Sequence, residues 1–218
     1  AYPLFMLGIG HERGLEDEVL LAGSGLNREM LTAPDARVTV LQYGVVTDNL
    51  LRLTGDPAIG IELGLRSSLT KVGMIGFGLM SCATYRDAIE LGLRYLPIRV
   101  PYFSVQFRVE GERGVLDLTE TFPLGPHRAL AFEYFMVELR CIYLSFMNPE
   151  TVREYGGNSE MWFMHDEPAH FAQYRDRLPA CRFGMPVYRL YFDARQLDLP
   201  LRTANPEAAA LARAHCER

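Results

Sequence analysis

Tyr102-Phe103-Ser104-Val105-Gln106-Phe107-Arg108-Val109 is the stretch at which the chain changes its period. Phe103, Val105, Phe107 and Val109 alternate with Ser104, Gln106 and Arg108, the period-two pattern of a strand with one face in a core. Gly111 to Gly114 supply a turn, and Val115 to Phe122 return as the second strand of a hairpin. Upstream the period is helical. Glu16, Asp17 and Glu18 open a helix with Leu15, Val19 and Ala22 on one face, since acids suit the positive helix end. Gly23-Ser24-Gly25 stops it, and Asn27 is placed to cap the next short helix. A longer helix is expected from the cap Thr39 to Thr54, closed by Gly55. Asp56-Pro57 reads as cap and first position of another helix, which carries Ile59, Ile61 and Leu63. Thr84 with Asp87 forms a capping-box pattern ahead of Ala88, Leu91 and Tyr95, with Pro97 closing that helix.

Downstream, Arg128 to Met147 reads as one long helix ended by Asn148-Pro149. Met161 to Met164 is a short strand, Pro168 to Leu178 a helix or extended turn, and Pro186 to Asp193 another strand. The expected class is therefore α+β: a helix-rich N-terminal half packed on an antiparallel β hairpin or sheet with a long buried helix. Residues 1–100 are expected as a helical subdomain and 101–204 as an α+β subdomain. Asn205-Pro206, followed by Ala208, Ala209, Ala210 and Leu211, starts a further helix. Composition leaves two readings of it, a terminal helix docked on the domain or a connector, spanning 205–218, into a domain missing here.

Composition narrows the function classes. Of 218 residues, 49% are hydrophobic and 22% charged, as in an ordinary globular chain. A net charge of −5 argues against this chain gripping nucleic acid by itself, because such binding is mostly phosphate neutralisation. The helix opened by Glu16 and the short one capped by Asn27 have a helix-turn-helix look, but Glu16, Asp17, Glu18 and Glu29 stand against only Arg28, so they read as helical packing. No apolar run approaches the roughly 20 residues of a membrane helix, and Ala1-Tyr2-Pro3-Leu4 shows no secretory signal. Cys82, Cys141, Cys181 and Cys216 are scattered, as reduced thiols in a cytoplasmic protein would be. His165-Asp166-Glu167-Pro168-Ala169-His170 briefly suggests a metal cluster, but a five-residue spacing without a third ligand is poor, and no metal or cofactor is expected. Gly73-Met74-Ile75-Gly76-Phe77-Gly78 lacks the strand, helix and GK[ST] context of a phosphate loop and reads as close backbone packing. Ser67 and Ser68 lack a nucleophile elbow, and no cysteine has an activating setting, so an enzyme is not expected.

Several spaced blocks together resemble one family. They are Thr54-Gly55-Asp56-Pro57, Glu62-Leu63-Gly64-Leu65-Arg66, Gly73-Met74-Ile75-Gly76, Ala83-Thr84-Tyr85-Arg86-Asp87-Ala88 and Arg94-Tyr95. Later come Phe163-Met164-His165, Pro168, Tyr174, Phe183 through Pro186, and Leu197-Asp198-Leu199-Pro200-Leu201. This series is similar to the N-terminal arabinose-binding-type domain of AraC/XylS transcription regulators, in the branch that includes ornithine-utilisation regulators. The resemblance implies a bacterial sensor domain, often dimeric, that answers to a small-molecule effector. DNA would be bound only through a C-terminal helix-turn-helix domain. It leaves the effector open, because effectors differ widely among members.

The residues themselves offer candidate ligand contacts. On the long helix Glu133 and Arg140 lie seven residues apart on one face at about 100° per residue, with Met136, Val137 and Leu144 around them. A helix apolar nearly all round is expected to be buried, so its charges need partners. They either pair with neighbouring elements or anchor a ligand in an apolar pocket, the expected effector being apolar or bearing a carboxylate that pairs with Arg140. Met80 and Met164 are either ordinary core or suited to an adaptable apolar ligand, and Tyr102 and Gln106 either face solvent or form a polar wall on the hairpin. The candidate set is therefore Met80, Tyr102, Gln106, Glu133, Met136, Val137, Arg140, Leu144 and Met164. The alternative functions are a ligand-free dimerisation or protein-interaction module and, behind it, an unrecognised enzyme.

Overall fold

A computed structural model describes residues 2–33, 36–69 and 73–216. Seven helices precede the hairpin: α1 (Tyr2–Glu12), α2 (Asp17–Leu21), α3 (Arg28–Thr32), α4 (Val40–Thr54), α5 (Ile59–Leu65), α6 (Met74–Ser81) and α7 (Tyr85–Arg99). After them come β1 (Phe103–Glu110), β2 (Arg113–Glu120), α8 (Arg128–Phe146), α9 (Pro149–Tyr155), β3 (Glu160–Trp162), β4 (Ala180–Arg182), β5 (Tyr188–Asp193) and α10 (Pro206–Cys216). A 3-10 stretch, Ala169–Arg177, lies between β3 and β4. The fold is α+β, as the change of period at Tyr102 predicts.

The expected caps form. Thr39 and Thr84 each make a full capping box, with Gln42 and Asp87 respectively. Asn27 accepts from the Met30 amide and Asn205 from the Ala208 amide. Gly55 ends α4 with φ 61°, the left-handed cap that glycine adopts without a Cβ penalty. Other boundaries shift. Asp56 accepts from the Ala58 amide in a turn, so α5 begins at Ile59 rather than beside the proline. Pro97 lies inside α7, which continues to Arg99. In α2 the buried residues are Leu20 and Leu21, while Val19 is exposed.

The sheet has five strands in the order β1-β2-β5-β3-β4. Its ladders are antiparallel except for β3 with β4, and Phe103 pairs with Glu120 at the root of the hairpin. On one face Phe103, Leu116, Leu118, Tyr188, Leu190 and Phe192 enter the main core, joined by Phe132, Phe135 and Met136 from α8. Rings set the register between helix and sheet: Phe132 stacks on Tyr188 with centroids 3.6 Å apart, and Phe135 on Phe103 at 4.6 Å. On the opposite face Asp117 binds both Arg108 and Arg189 across neighbouring strands.

Helix α8 is buried on more than one side. Tyr134 belongs to the apolar cluster of α1 to α5, and Val137 packs with Ile61, Phe171 and Leu178. Two glycines let α5 approach it: a Cβ at Gly60 would stand 2.6 Å from the Leu130 carbonyl oxygen, and one at Gly64 2.6 Å from the Val137 Cβ. At the other end of the chain α10 rests on α6, with Ala209 and Ala212 buried and Gly78 making room for Ala212.

Candidate functional site

A cavity of about 120 Å³ lies where α6, α7, the hairpin and α8 converge. Helix α7 gives one wall through Tyr85, Ala88, Ile89, Gly92, Tyr95, Leu96 and Arg99, positions that share a face at helical spacing. Helix α8 gives the facing wall through Phe135, Glu138, Leu139, Ile142, Tyr143 and Phe146, and α6 covers it with Ile75 and Leu79. Val105 and Leu116 close it from the hairpin. Gly92 matters here because a side chain at this point on α7 would occupy the hollow; a Cβ there meets only Leu79, at 3.5 Å.

Few polar groups reach this space. The Tyr95 hydroxyl is buried and has no hydrogen-bond partner among the described residues, although Tyr95 is only 5% exposed. Burial raises the pKa of Tyr85 well above the usual phenol value, and it pushes Tyr143 up to about 12. Both stay neutral hydroxyls at physiological pH. Tyr143 donates to Gln196 Oε1 at 2.6 Å. Glu138 accepts from the Tyr134 hydroxyl at 3.2 Å, and Arg99 also holds a partner. A second cavity of about 50 Å³ shares Tyr85, Leu116, Leu139 and Tyr143 with the first and is also lined by Arg140.

The residues singled out in the sequence do not gather around one space. Arg140 lines the smaller cavity, and Tyr102 lines a groove at the hairpin root, where it stacks on Tyr43. Glu133, Met136 and Val137 are buried. Met80 is half-buried against the main core, while Gln106, Leu144 and Met164 are exposed. The groove beside Tyr102 is larger, about 320 Å³, but its rim includes Leu41 and Phe122, both exposed, so it is an open surface.

Glu133 has a different setting from the one that its pairing with Arg140 suggests. His165 Nε2 lies 3.2 Å from Glu133 Oε1, though not aligned as a hydrogen bond, and His170 Nε2 is bonded to Oε2 at 3.2 Å. The His165–His170 spacing, poor for a metal, brings both imidazoles to one buried carboxylate. Burial drives the Glu133 pKa up, but the two histidines outweigh it and hold the carboxyl below its ordinary value. Among the described residues no group of three or more His, Cys, Asp or Glu is placed to hold a metal ion. Nor is any helix there long and apolar enough to cross a membrane. Cys82 and Cys181 are free thiols; the Cys216 side chain lies outside the described residues. Burial raises the Cys82 thiol and pushes Cys181 up to about 12, so neither is a ready nucleophile at neutral pH.

An α+β domain with an apolar hollow between its helices and its sheet is a binding architecture. Comparison with known proteins gives the family. The model of the arabinose-binding domain of AraC transcription regulators, N-terminal, matches residues 14–201, and the chain belongs to that family. The ornithine utilization regulator of Pseudomonas aeruginosa is 26% identical over 218 residues, covering 100% of this chain and 63% of the relative. An uncharacterised HTH-type transcriptional regulator of Mycobacterium tuberculosis is 25% identical over 219 residues, covering 96% of this chain and 61% of the relative. The chain thus spans about three fifths of the length of these curated relatives. The crystal structure of the transcriptional regulator CdpR from Pseudomonas aeruginosa matches with a TM-score of 0.63 at 12% identity, over 97% of this chain and 60% of that one. That match supports the fold alone.

Proposed function

We propose that this chain is the effector-sensing domain of a bacterial transcription regulator, and that its effector occupies the cavity between α6, α7, the hairpin and α8. The observation that carries this reading is the apolar hollow with a buried, unpartnered hydroxyl at its wall. Family membership supplies the regulatory context. In this reading the chain is not an enzyme and uses no cofactor. It acts in the cytoplasm as a homodimer and reaches DNA only through a C-terminal domain, with residues 205–218 beginning the connector. Of the sequence-derived set, Arg140 lines the adjoining smaller cavity and none lines this one.

Helix α6 supplies the route for a signal. Ile75 and Leu79 line the cavity, while Gly78 on the same helix lies against Ala212 of α10. An effector that binds one placement of α6 more tightly than another shifts the population of that placement, and α10 with it.

A ligand-free dimerisation module is the second reading, favoured by the exposure of Leu41 (78%), Ile98 (76%) and Leu211 (62%). Native mass spectrometry of the purified chain, followed by denaturing extraction, separates the two. The sensor reading expects a small molecule of defined mass that leaves on denaturation. A ligand-free dimer, unchanged by any member of a broad metabolite set, would favour the second reading.

A further inference from the structure

Granting that the cavity is the effector site, its chemistry restricts the effector further. We infer that the cavity takes an uncharged, compact apolar molecule, about one ring in size, that offers a single hydrogen-bond acceptor to the Tyr95 hydroxyl.

Size comes from the volume. About 120 Å³ is close to the ~150 Å³ of apolar protein cavities that stay dry and take up benzene. Charge is excluded by the wall. A carboxylate or ammonium brought into an apolar space needs an unengaged counter-charge, because desolvation disfavours the bare ion strongly. The charged side chains at this wall are Arg99 and Glu138; each already holds a partner, although the buried Arg99 Nε itself makes no hydrogen bond. A free amino acid carries at least two charges and has no place to set them here.

Polarity comes from Tyr95. A phenol buried to this degree ordinarily has a partner, since leaving it without one costs the hydroxyl its hydration with nothing in return. The other phenols on the wall do not offer the same opening. Tyr143 is committed to Gln196, and the Tyr85 hydroxyl is not among the buried groups left without a partner. Tyr95 is therefore the group whose hydroxyl gains a bond when an acceptor enters. An aromatic or branched aliphatic ketone, ester or lactone meets this description.

Three probes with nine non-hydrogen atoms each isolate the features: acetophenone, its alkene isostere α-methylstyrene, and benzoate. Their binding would be titrated by calorimetry or ligand-observed NMR on the wild-type chain, on Tyr95→Phe and on Gly92→Leu, with circular dichroism confirming that both variants fold. The expected result is that Tyr95→Phe shifts the affinity ratio of acetophenone to α-methylstyrene by about five- to tenfold against the ketone, the coupling of one hydrogen bond. Benzoate is expected to bind at least about tenfold more weakly than acetophenone, and Gly92→Leu to abolish binding of all probes. A ratio unmoved by Tyr95→Phe would overturn the inference. So would benzoate or ornithine binding more tightly than acetophenone and being lost in Gly92→Leu, although the cavity would then stand as the sensor site. Probe binding undiminished by Gly92→Leu, or no probe binding to the wild type, would remove the cavity assignment itself.

Discussion

Tyr95 and Glu133 are both buried polar residues, and they stand in opposite states. Tyr95 keeps a hydroxyl without a partner among the described residues, so deleting that oxygen removes a cost rather than a bond. Tyr95→Phe is accordingly expected to raise the ligand-free stability by about 1 kcal/mol in urea unfolding while impairing response to the effector. A loss of stability on this substitution would mean that the hydroxyl is satisfied after all. Glu133 is held by His165 and His170, and Glu133→Gln is expected to lose about 1–3 kcal/mol at neutral pH. Its folded pKa is lowered, so its contribution is complete above the ordinary Glu value of 4.5 and fades as the pH falls through the lower, folded one. Wild type should therefore lose more stability than Glu133→Gln over that acid range. Equal acid profiles for the two proteins would refute the assignment.

At the scale of elements, the contact between α5 and α8 depends on two missing side chains. Gly64→Ala is expected to destabilise by about 1–3 kcal/mol, because its methyl would stand 2.6 Å from Val137 in a packed interior. Gly44→Ala in α4, with nothing within 4 Å of the added Cβ, is expected to stabilise by up to about 1 kcal/mol. Thermal unfolding of the pair checks both signs. The same elements show what the sequence reveals. Caps at Asn27, Thr39, Thr84 and Asn205 are local hydrogen bonds and can be read directly, as can the alternation of β1 from Phe103 to Phe107, whereas Val109, expected on the core face, is exposed near the hairpin turn. The burial of α8 follows from its apolar circumference. Which of its faces borders a hollow does not follow, because that depends on what lies opposite. The charges of Glu133 and Arg140 direct attention to one side of α8, whereas the cavity lies along Phe135, Glu138, Leu139, Ile142 and Phe146. A signal was present on α7: Gly92 interrupts an otherwise apolar face between Ile89 and Leu96. The strand order and the short β4 rest on pairing between distant segments, which local pattern does not encode.

Taken whole, the molecule places its cavity next to the helix that seats α10. A ligand at about 100 times its dissociation constant is expected to add roughly 2.7 kcal/mol of stability. Hydrogen exchange should then slow in α6 and α10 and stay unchanged in α1 to α3, which lie in the separate apolar cluster of Met6, Leu20 and Leu50. Slowing confined to α1 to α3 would place the ligand elsewhere. The central claim is that the hollow between α6, α7, the hairpin and α8 is where this chain senses its effector. A thermal-shift screen of one metabolite set, run in parallel on the wild-type chain and on Gly92→Leu, tests it most directly. At least one compound should raise the wild-type melting temperature and leave Gly92→Leu unmoved. Stabilisation of equal size in both proteins, or none in the wild type, would contradict it.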